Sequence, residues 1–145
     1  MAVILIKDGF GPCDHFGRQQ MHFWRNHIIL TAGQKERRHA NLDLLEELLA
    51  EHLPLARWRR PDAGFVAWID LRGYPGLGDD PAAAFLDEGR VALSSGPAFG
   101  SQGKGFARVN FACSQELLTE AFVRMGRVAA ARGDRAQHLP AAELD

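Results

Sequence analysis

The sequence predicts an α+β domain in which helices cover a small, mostly antiparallel sheet. Two long segments space their apolar residues as helices do, and four short segments rich in β-branched and aromatic residues are typical of strands. From residue 35 the predicted order is α-β-β-α-β-β-α, which indicates a layered architecture. We expect an unassigned N-terminal extension over 1–34, the domain over 35–132 and a polar tail over 133–145.

The first predicted helix lies in KERRHANLDLLEELLAEHLP, and Pro54 ends it. Its apolar face is formed by Leu42, Leu45, Leu48, Leu49 and His52. The charged residues, Lys35 to Arg38 with Glu46, Glu47 and Glu51, are expected on the solvated face. Before this helix, AVILI is compatible with a short buried strand, while the following segment shows neither the helical nor the strand period.

The middle of the chain predicts a hairpin and a short helix. ARWRRPDAGFVAWIDLR contains two strands joined at the turn cluster RPDAG, and we expect Trp68 of the second strand to lie in the core. In GDDPAAAFLDEGR, Asp79 or Asp80 caps a helix, Pro81 occupies its first turn and Gly89 ends it.

The last part predicts two strands, VALSS and FARVNFA, joined by a glycine-rich segment with one lysine, and then a helix capped by Ser114. The apolar face of that helix is formed by Leu118, Ala121, Phe122, Met125, Val128 and Ala129. The glycine-rich segment does not match a phosphate-binding loop, because Ala98 stands where the first glycine is needed and Gly105 follows Lys104 in place of Ser or Thr. We therefore interpret it as a flexible connection between strands.

Arg108 is the main candidate binding residue, since it interrupts an otherwise apolar strand. Strand alternation puts Ala107, Val109 and Phe111 on the core face and Phe106, Arg108 and Asn110 on the other. A planar guanidinium is suited to binding a carboxylate with two parallel hydrogen bonds. On spacing alone, a solvent-facing arginine without a ligand remains the alternative.

Composition excludes several classes of function. The net charge of −1 gives no electrostatic basis for binding nucleic acid or an anionic membrane, and no apolar run approaches the length of a membrane span. Cys13 and Cys113 are expected to be free thiols in a reducing cytoplasm. His15, His22 and His27 lack metal-ligand spacing, so no metal site is expected.

Three segments together carry a family resemblance: RRPDAGFVAWIDLR, DDPAAAFLDEGRVALSSGPAFG and GKGFARVNFACSQELLTEAFVRM. They resemble the C-terminal small domain of class I/II, fold-type I enzymes that depend on pyridoxal 5'-phosphate (PLP), in particular the cystathionine β-lyase-like C–S lyase branch. The resemblance extends from about residue 39 to about residue 131. It implies that Arg108 pairs with the α-carboxylate of an amino-acid substrate, as the arginine of the last motif does in that family.

The resemblance does not extend to the large domain that precedes this region in the family. That domain supplies the Schiff-base lysine, the partner of the pyridine nitrogen and the phosphate-binding residues, whereas Lys7, Lys35 and Lys104 all lie in other contexts. We therefore expect PLP in a complete family enzyme, none bound by this chain alone, and neither catalytic nor cofactor-binding residues here.

Two functions follow as hypotheses. The first is part of a PLP-dependent aminotransferase or C–S lyase that binds the substrate carboxylate and does not catalyse by itself. The second is a non-enzymatic module for protein interaction or self-association, with a homodimer as one form. Whether the chain is a gene fragment, part of a longer reading frame or an independent module stays open at this point.

Overall fold

The computed structural model describes residues 5–6 and 32–137. Within them, three helices pack with a four-stranded antiparallel sheet, which confirms the predicted α+β class. The helices are α1 (Ala32–His52), α2 (Pro81–Gly89) and α3 (Gln115–Gln137). The strands are β1 (Leu5–Ile6), β2 (Arg57–Trp58), β3 (Val66–Asp70), β4 (Val91–Ala92), β5 (Ser94–Ser95) and β6 (Phe106–Asn110).

The main sheet has the order β2-β3-β6-β5, and all neighbours in it are antiparallel. The segment VALSS, predicted as one strand, is divided at Leu93: β4 pairs with β1, and only β5 joins the main sheet. The predicted strand in AVILI thus corresponds to Leu5–Ile6, which pairs with Val91–Ala92.

One face of the sheet lies in the core with the apolar faces of α1 and α3. Ala67, Ile69, Ala107 and Val109 are at most 1% exposed. The predicted helix faces are confirmed, because the four leucines of α1 and all six apolar residues predicted on α3 are buried. Burial of this continuous apolar surface is the main contribution to the stability of the domain.

Helix ends follow the predicted capping residues with one difference. The Asp80 side chain accepts a hydrogen bond from the Ala83 N–H, and Ser114 Oγ accepts one from the Leu117 N–H at 3.2 Å. As predicted, α2 ends at Gly89, and Arg90 after it adopts the left-handed conformation with φ of 57°. The difference is that α3 continues to Gln137, beyond residue 132 where its helical pattern was expected to end.

Arg38 was predicted on the solvated face of α1 but is only 6% exposed. Its Nε and Nη2 donate hydrogen bonds to the carbonyls of Gly64 and Pro61, both at 2.6 Å. Asn41, one turn later, donates to the carbonyls of Phe111 and Cys113 at 2.8 and 2.9 Å. These side chains fasten α1 to the hairpin loop and to the end of β6, and a buried guanidinium requires such acceptors.

Candidate functional site

The outer face of the sheet, opposite the core, carries the candidate site. We define it by Trp68 of β3, Phe106 and Arg108 of β6, Ser94 of β5 and Phe99 of the loop that follows β5. Trp68 and Ser94 lie directly opposite Arg108 on the two neighbouring strands. The alternation that buries Ala107 and Val109 therefore turns Arg108 outward, as the sequence predicts.

The Arg108 guanidinium has only neutral partners among the described residues. Its Nη2 donates a hydrogen bond to Ser94 Oγ at 3.3 Å, and its Cζ lies 4.4 Å from the centroid of the Phe99 ring. No described carboxylate forms an ion pair with it. The charge is thus held in place but not neutralised, which is the arrangement expected of an anion-binding arginine.

Arg72 shows what a neutralised arginine looks like a short distance away. Its Nε and Nη2 donate to the two carboxylate oxygens of Asp70 at 2.9 and 2.7 Å, and its Cζ lies 4.9 Å from the Phe106 ring centroid. The side-chain hydrogen bond from Arg72 lowers the pKa of Asp70, while the Asp70 carboxylate raises the pKa of Arg72. Arg72 is therefore occupied by an internal carboxylate, and Arg108 is not.

Three aromatic rings lie on the outer face with Arg108, and one of them, Phe99, contacts it. Trp68 contacts Phe99 edge-on with centroids 5.3 Å apart and Phe106 at 6.4 Å. The expectation that Trp68 lies in the core was wrong, since the indole is 41% exposed and strand alternation points Ala67 and Ile69 inward instead. Together with Gln102 and Gly103, the three rings line a slot of about 250 Å³ beside Arg108.

The glycine-rich loop holds Phe99 over this face. Between β5 and β6 the chain forms two 3-10 turns, Pro97–Phe99 and Ser101–Gly103. The backbone of Gly96, just before the first turn, lies against that of Gly103 at the end of the second. A Cβ on Gly103 would come within 2.0 Å of the Gly96 carbonyl oxygen, so only glycine permits this backbone approach. The loop joins two strands as predicted, and Lys104 forms an exposed ion pair with Asp79 at 3.1 Å.

Asn110 was expected to be displayed beside Arg108, and the structure contradicts this. It is 3% exposed, and its Oδ1 accepts a hydrogen bond from the Ala112 N–H at 3.0 Å, which folds the side chain back along its own backbone. Its buried Nδ2 has no partner within the described part of the chain. Asn110 therefore shapes the end of β6 and is not presented to a ligand.

The other reactive side chains within 32–137 do not form a second site. Cys113 is a free thiol, as predicted, and burial raises its pKa to about 11, which disfavours the nucleophilic thiolate. Within 32–137, no group of His, Cys, Asp and Glu could hold a metal ion. Cys13, His15, His22 and His27 lie outside the described residues. None of the described helices is long and apolar enough to cross a membrane.

Known proteins similar to this chain belong to one group of enzymes. A Mycobacterium leprae protein provisionally named cystathionine beta-lyase is 46% identical over 100 residues, which are 61% of this chain and 25% of that protein. The cystathionine beta-lyase PatB of Bacillus subtilis is 34% identical over 86 residues, 59% of this chain and 22% of PatB. The homologues are PLP-dependent C–S lyases and aminotransferases.

Solved structures agree with this family. A protein of Corynebacterium diphtheriae provisionally described as a PLP-dependent beta-cystathionase is 32% identical with a TM-score of 0.61, covering 68% of this chain and 26% of its own. The aromatic aminotransferase of Pyrococcus horikoshii is 29% identical with a TM-score of 0.60, and the match covers 69% of this chain and 26% of the aminotransferase chain. No family model matches the sequence. The chain spans about a quarter of the length of the curated relatives it matches first.

The described residues do not fit PLP itself, although structural neighbours are PLP-bound. Lys104 is paired with Asp79, and 61% of its side chain is exposed. Lys35 lies exposed near the start of α1. Neither amine is enclosed in a cavity where it could hold a carbonyl group, and the loop between β5 and β6 is closed by its own backbone contacts. Among the described residues, neither lysine is therefore placed to hold PLP covalently, while Arg108 presents an open guanidinium on the outer face.

Proposed function

We propose that this domain binds the α-carboxylate of an amino-acid substrate through Arg108, as part of a PLP-dependent C–S lyase or aminotransferase. The observation that supports the proposal is the Arg108 guanidinium on the outer face, stacked on Phe99, bonded to neutral Ser94 and free of any described carboxylate. A carboxylate can meet its open edge in a bidentate geometry. The homologues include proteins named as cystathionine beta-lyases, and cystathionine is an amino acid that carries α-carboxylates.

We further propose that the chain does not catalyse alone, because catalysis needs groups that the described residues do not supply. When bound, PLP provides the electron sink for reactions at the α-carbon of an amino acid. The contribution of this domain is binding and orientation: Arg108 holds the carboxylate, and the three aromatic rings limit access of water beside it.

The carboxylate role can be tested in a chimera of the Bacillus subtilis cystathionine beta-lyase whose matched segment is replaced by residues 39–131 of this chain. Arg108→Ala should raise KM for cystathionine about ten- to hundredfold, because it removes a hydrogen-bonded charge partner. The KM of Arg108→Lys should lie between those of the unmodified chimera and Arg108→Ala, since lysine keeps the charge but loses the planar guanidinium.

Arg127→Ala is the matched control for this experiment. Arg127 is an exposed arginine on α3 and lies outside the outer face, so its removal should leave KM within about twofold. Equal KM values for the Arg108 and Arg127 variants would contradict the carboxylate role. The absence of independent catalysis is tested separately, by mixing the purified chain with PLP. A stable visible absorbance band that borohydride abolishes by reduction at one lysine, with turnover of cystathionine above that of free PLP, would contradict it.

A second candidate function is self-association through the outer face. Trp68 and Phe99 are 41% and 54% exposed, and large exposed apolar side chains that lie together commonly mark a partner surface. Analytical ultracentrifugation over a wide concentration range would test it. A defined dimer that is lost in Phe99→Ser but retained in Leu55→Ser would support this function. Leu55 is a suitable control because it is 59% exposed elsewhere. A monomer at all concentrations would exclude it.

A further inference from the structure

The position of Arg108 is set by contacts from two separate parts of the chain. Ser94 lies opposite it in the β5–β6 register, and the Ser94 hydroxyl accepts the Nη2 hydrogen bond. Because serine has a short side chain on a paired strand, this bond fixes one end of the guanidinium relative to the sheet. The other N–H groups of the guanidinium remain available to an incoming group.

Phe99 supplies the second contact, across the plane of the guanidinium. The ring lies 4.4 Å from Arg108 Cζ and is itself supported edge-on by Trp68. The backbone also holds it, since the Phe99 N–H donates to the Gly96 carbonyl at 2.9 Å. A ring on one face leaves the edge of the guanidinium open, which is where a carboxylate forms two hydrogen bonds.

Both partners are electrically neutral, and this distinguishes them from the partner of Arg72. Asp70 orients Arg72 but also occupies its hydrogen-bonding edge and neutralises its charge. A hydroxyl and an aromatic ring orient an arginine without competing for the anion.

We infer that Ser94 and Phe99 are positioning residues, which hold the Arg108 guanidinium in the orientation in which it receives the substrate carboxylate. The inference rests on the proposed function, because it assigns these residues a role in that same site. It adds residues that are 14 and 9 positions away from Arg108 and that contact no reacting atom themselves.

The first test measures the motion of the Arg108 side chain in the 145-residue protein. The rate of rotation about the Nε–Cζ bond can be followed by nitrogen-15 NMR of the guanidinium groups. We expect Ser94→Ala and Phe99→Leu each to accelerate rotation of Arg108 several-fold, with Arg127 in the same spectra unchanged. Ser101→Ala, which removes an exposed hydroxyl from the same loop, is the matched control and should have no effect.

The second test measures carboxylate binding in the same samples. Acetate is added against sodium chloride at equal ionic strength, and the response of the Arg108 Nη signals is compared. The loss of either support should weaken the response about two- to fivefold, in line with the size of a cation–π contact or a single hydrogen bond. Ser94→Thr and Phe99→Tyr, which keep the hydroxyl and the ring, should restore the wild-type response.

The two readouts separate failure of the inference from failure of the proposed function. If Arg108 of the unmodified protein responds to acetate but Ser94→Ala and Phe99→Leu change neither rotation nor response, the positioning role is wrong and the proposed function stands. If Arg108 responds no more to acetate than to chloride, the proposed function is contradicted, and the positioning role with it. Phe99→Leu could disturb the loop, so Ser94→Ala, which leaves the loop sequence intact, decides the outcome where the two variants differ.

Discussion

The two faces of the sheet are built from the same strands but differ in burial and in the types of residue they carry. On the inner face, small and branched residues such as Ala107, Val109 and Ile69 are completely buried. On the outer face, the neighbouring positions carry Trp68, Phe106 and Arg108, all at least partly exposed. Packing dictates the inner residues, because a void or an extra methylene there is costly. Packing constrains the partly exposed outer residues less, which is compatible with the binding role proposed for this face.

Polar groups show the same contrast. On the core side, Arg38 and Asn41 donate hydrogen bonds to backbone carbonyls. These bonds attach α1 to the hairpin loop and to the segment that follows β6. On the outer face, Arg108 has one neutral hydroxyl acceptor and a ring. Buried polar groups must be satisfied internally, whereas a charge held rigidly at the surface can be reserved for a ligand.

The largest difference is expected between adjacent residues of β3. Ile69→Ala should lower the free energy of unfolding by about 2–5 kcal/mol, because it leaves a cavity in the core. Trp68→Ala should cost only about 1 kcal/mol, since part of the indole is already in water. Chemical denaturation of both variants measures the difference. Equal costs would show that the outer face is a second packing surface and would weaken its assignment to binding.

The glycine-rich loop should be nearly as sensitive as the core. Gly103→Ala places a Cβ 2.0 Å from the Gly96 carbonyl oxygen, so the two 3-10 turns must separate at a cost of about 1–3 kcal/mol. Phe99 should move with them and change the fluorescence of Trp68.

Gly133→Ala in α3 is the control for the loop variant, because nothing lies within 4 Å of its added Cβ. It should stabilise the chain by about 0.5–1 kcal/mol, as alanine does in helices. A neutral Gly103→Ala would show that the loop does not hold Phe99 in place.

The sequence predicts the inner face better than the outer one, for a physical reason. Helical spacing in α1 and α3 and alternation in β6 are direct consequences of burial, and the structure confirms them. Alternation could not place Trp68, because FVAWI is apolar at every position, so both faces looked equally suitable for the core. The tertiary fold places Trp68 outside, because Ala67 and Ile69 are the residues of β3 that are buried in the core.

The supports of Arg108 could not be predicted from local pattern. Ser94 reaches it only because VALSS divides at Leu93, and Phe99 only because the glycines fold the loop back over β6. Arg38 shows the same limit in the core, since its burial depends on carbonyls at Pro61 and Gly64 that approach from the hairpin. Arg108 itself could be singled out, as a charge in an apolar strand is visible without the fold.

A smaller effect is expected at the ion pair beside the outer face. Asp70 has a pKa lowered mainly by its side-chain hydrogen bond from Arg72, so the pair stabilises the folded state above the ordinary carboxyl pKa of about 4. That contribution is lost as the pH falls through the lowered pKa. Asp70→Asn should therefore flatten the loss of stability in acid, measured by denaturation at a series of pH values.

Asp62→Asn provides the comparison for this acid titration. Asp62 is exposed in the hairpin loop and forms no ion pair among the described residues. The stability of its variant should therefore change with pH as that of the unmodified protein does. If Asp70→Asn also followed the unmodified protein, Arg72 would not be occupied by Asp70 in solution. The contrast between an occupied Arg72 and an available Arg108 would then fail.

The smallest effect on stability is expected at Arg108, the residue that we propose binds the carboxylate. Arg108→Ala removes one long hydrogen bond to Ser94 and one contact with Phe99, both at the partly exposed outer face, and opens no cavity in the core. Its cost should stay within about 0.5 kcal/mol, as for most surface substitutions, and match that of Arg127→Ala. Denaturation curves of the two variants, recorded beside Ile69→Ala, measure it. A loss of about 2 kcal/mol or more would mean that Arg108 stabilises the sheet, and its availability to a carboxylate would no longer explain why an arginine stands in this strand.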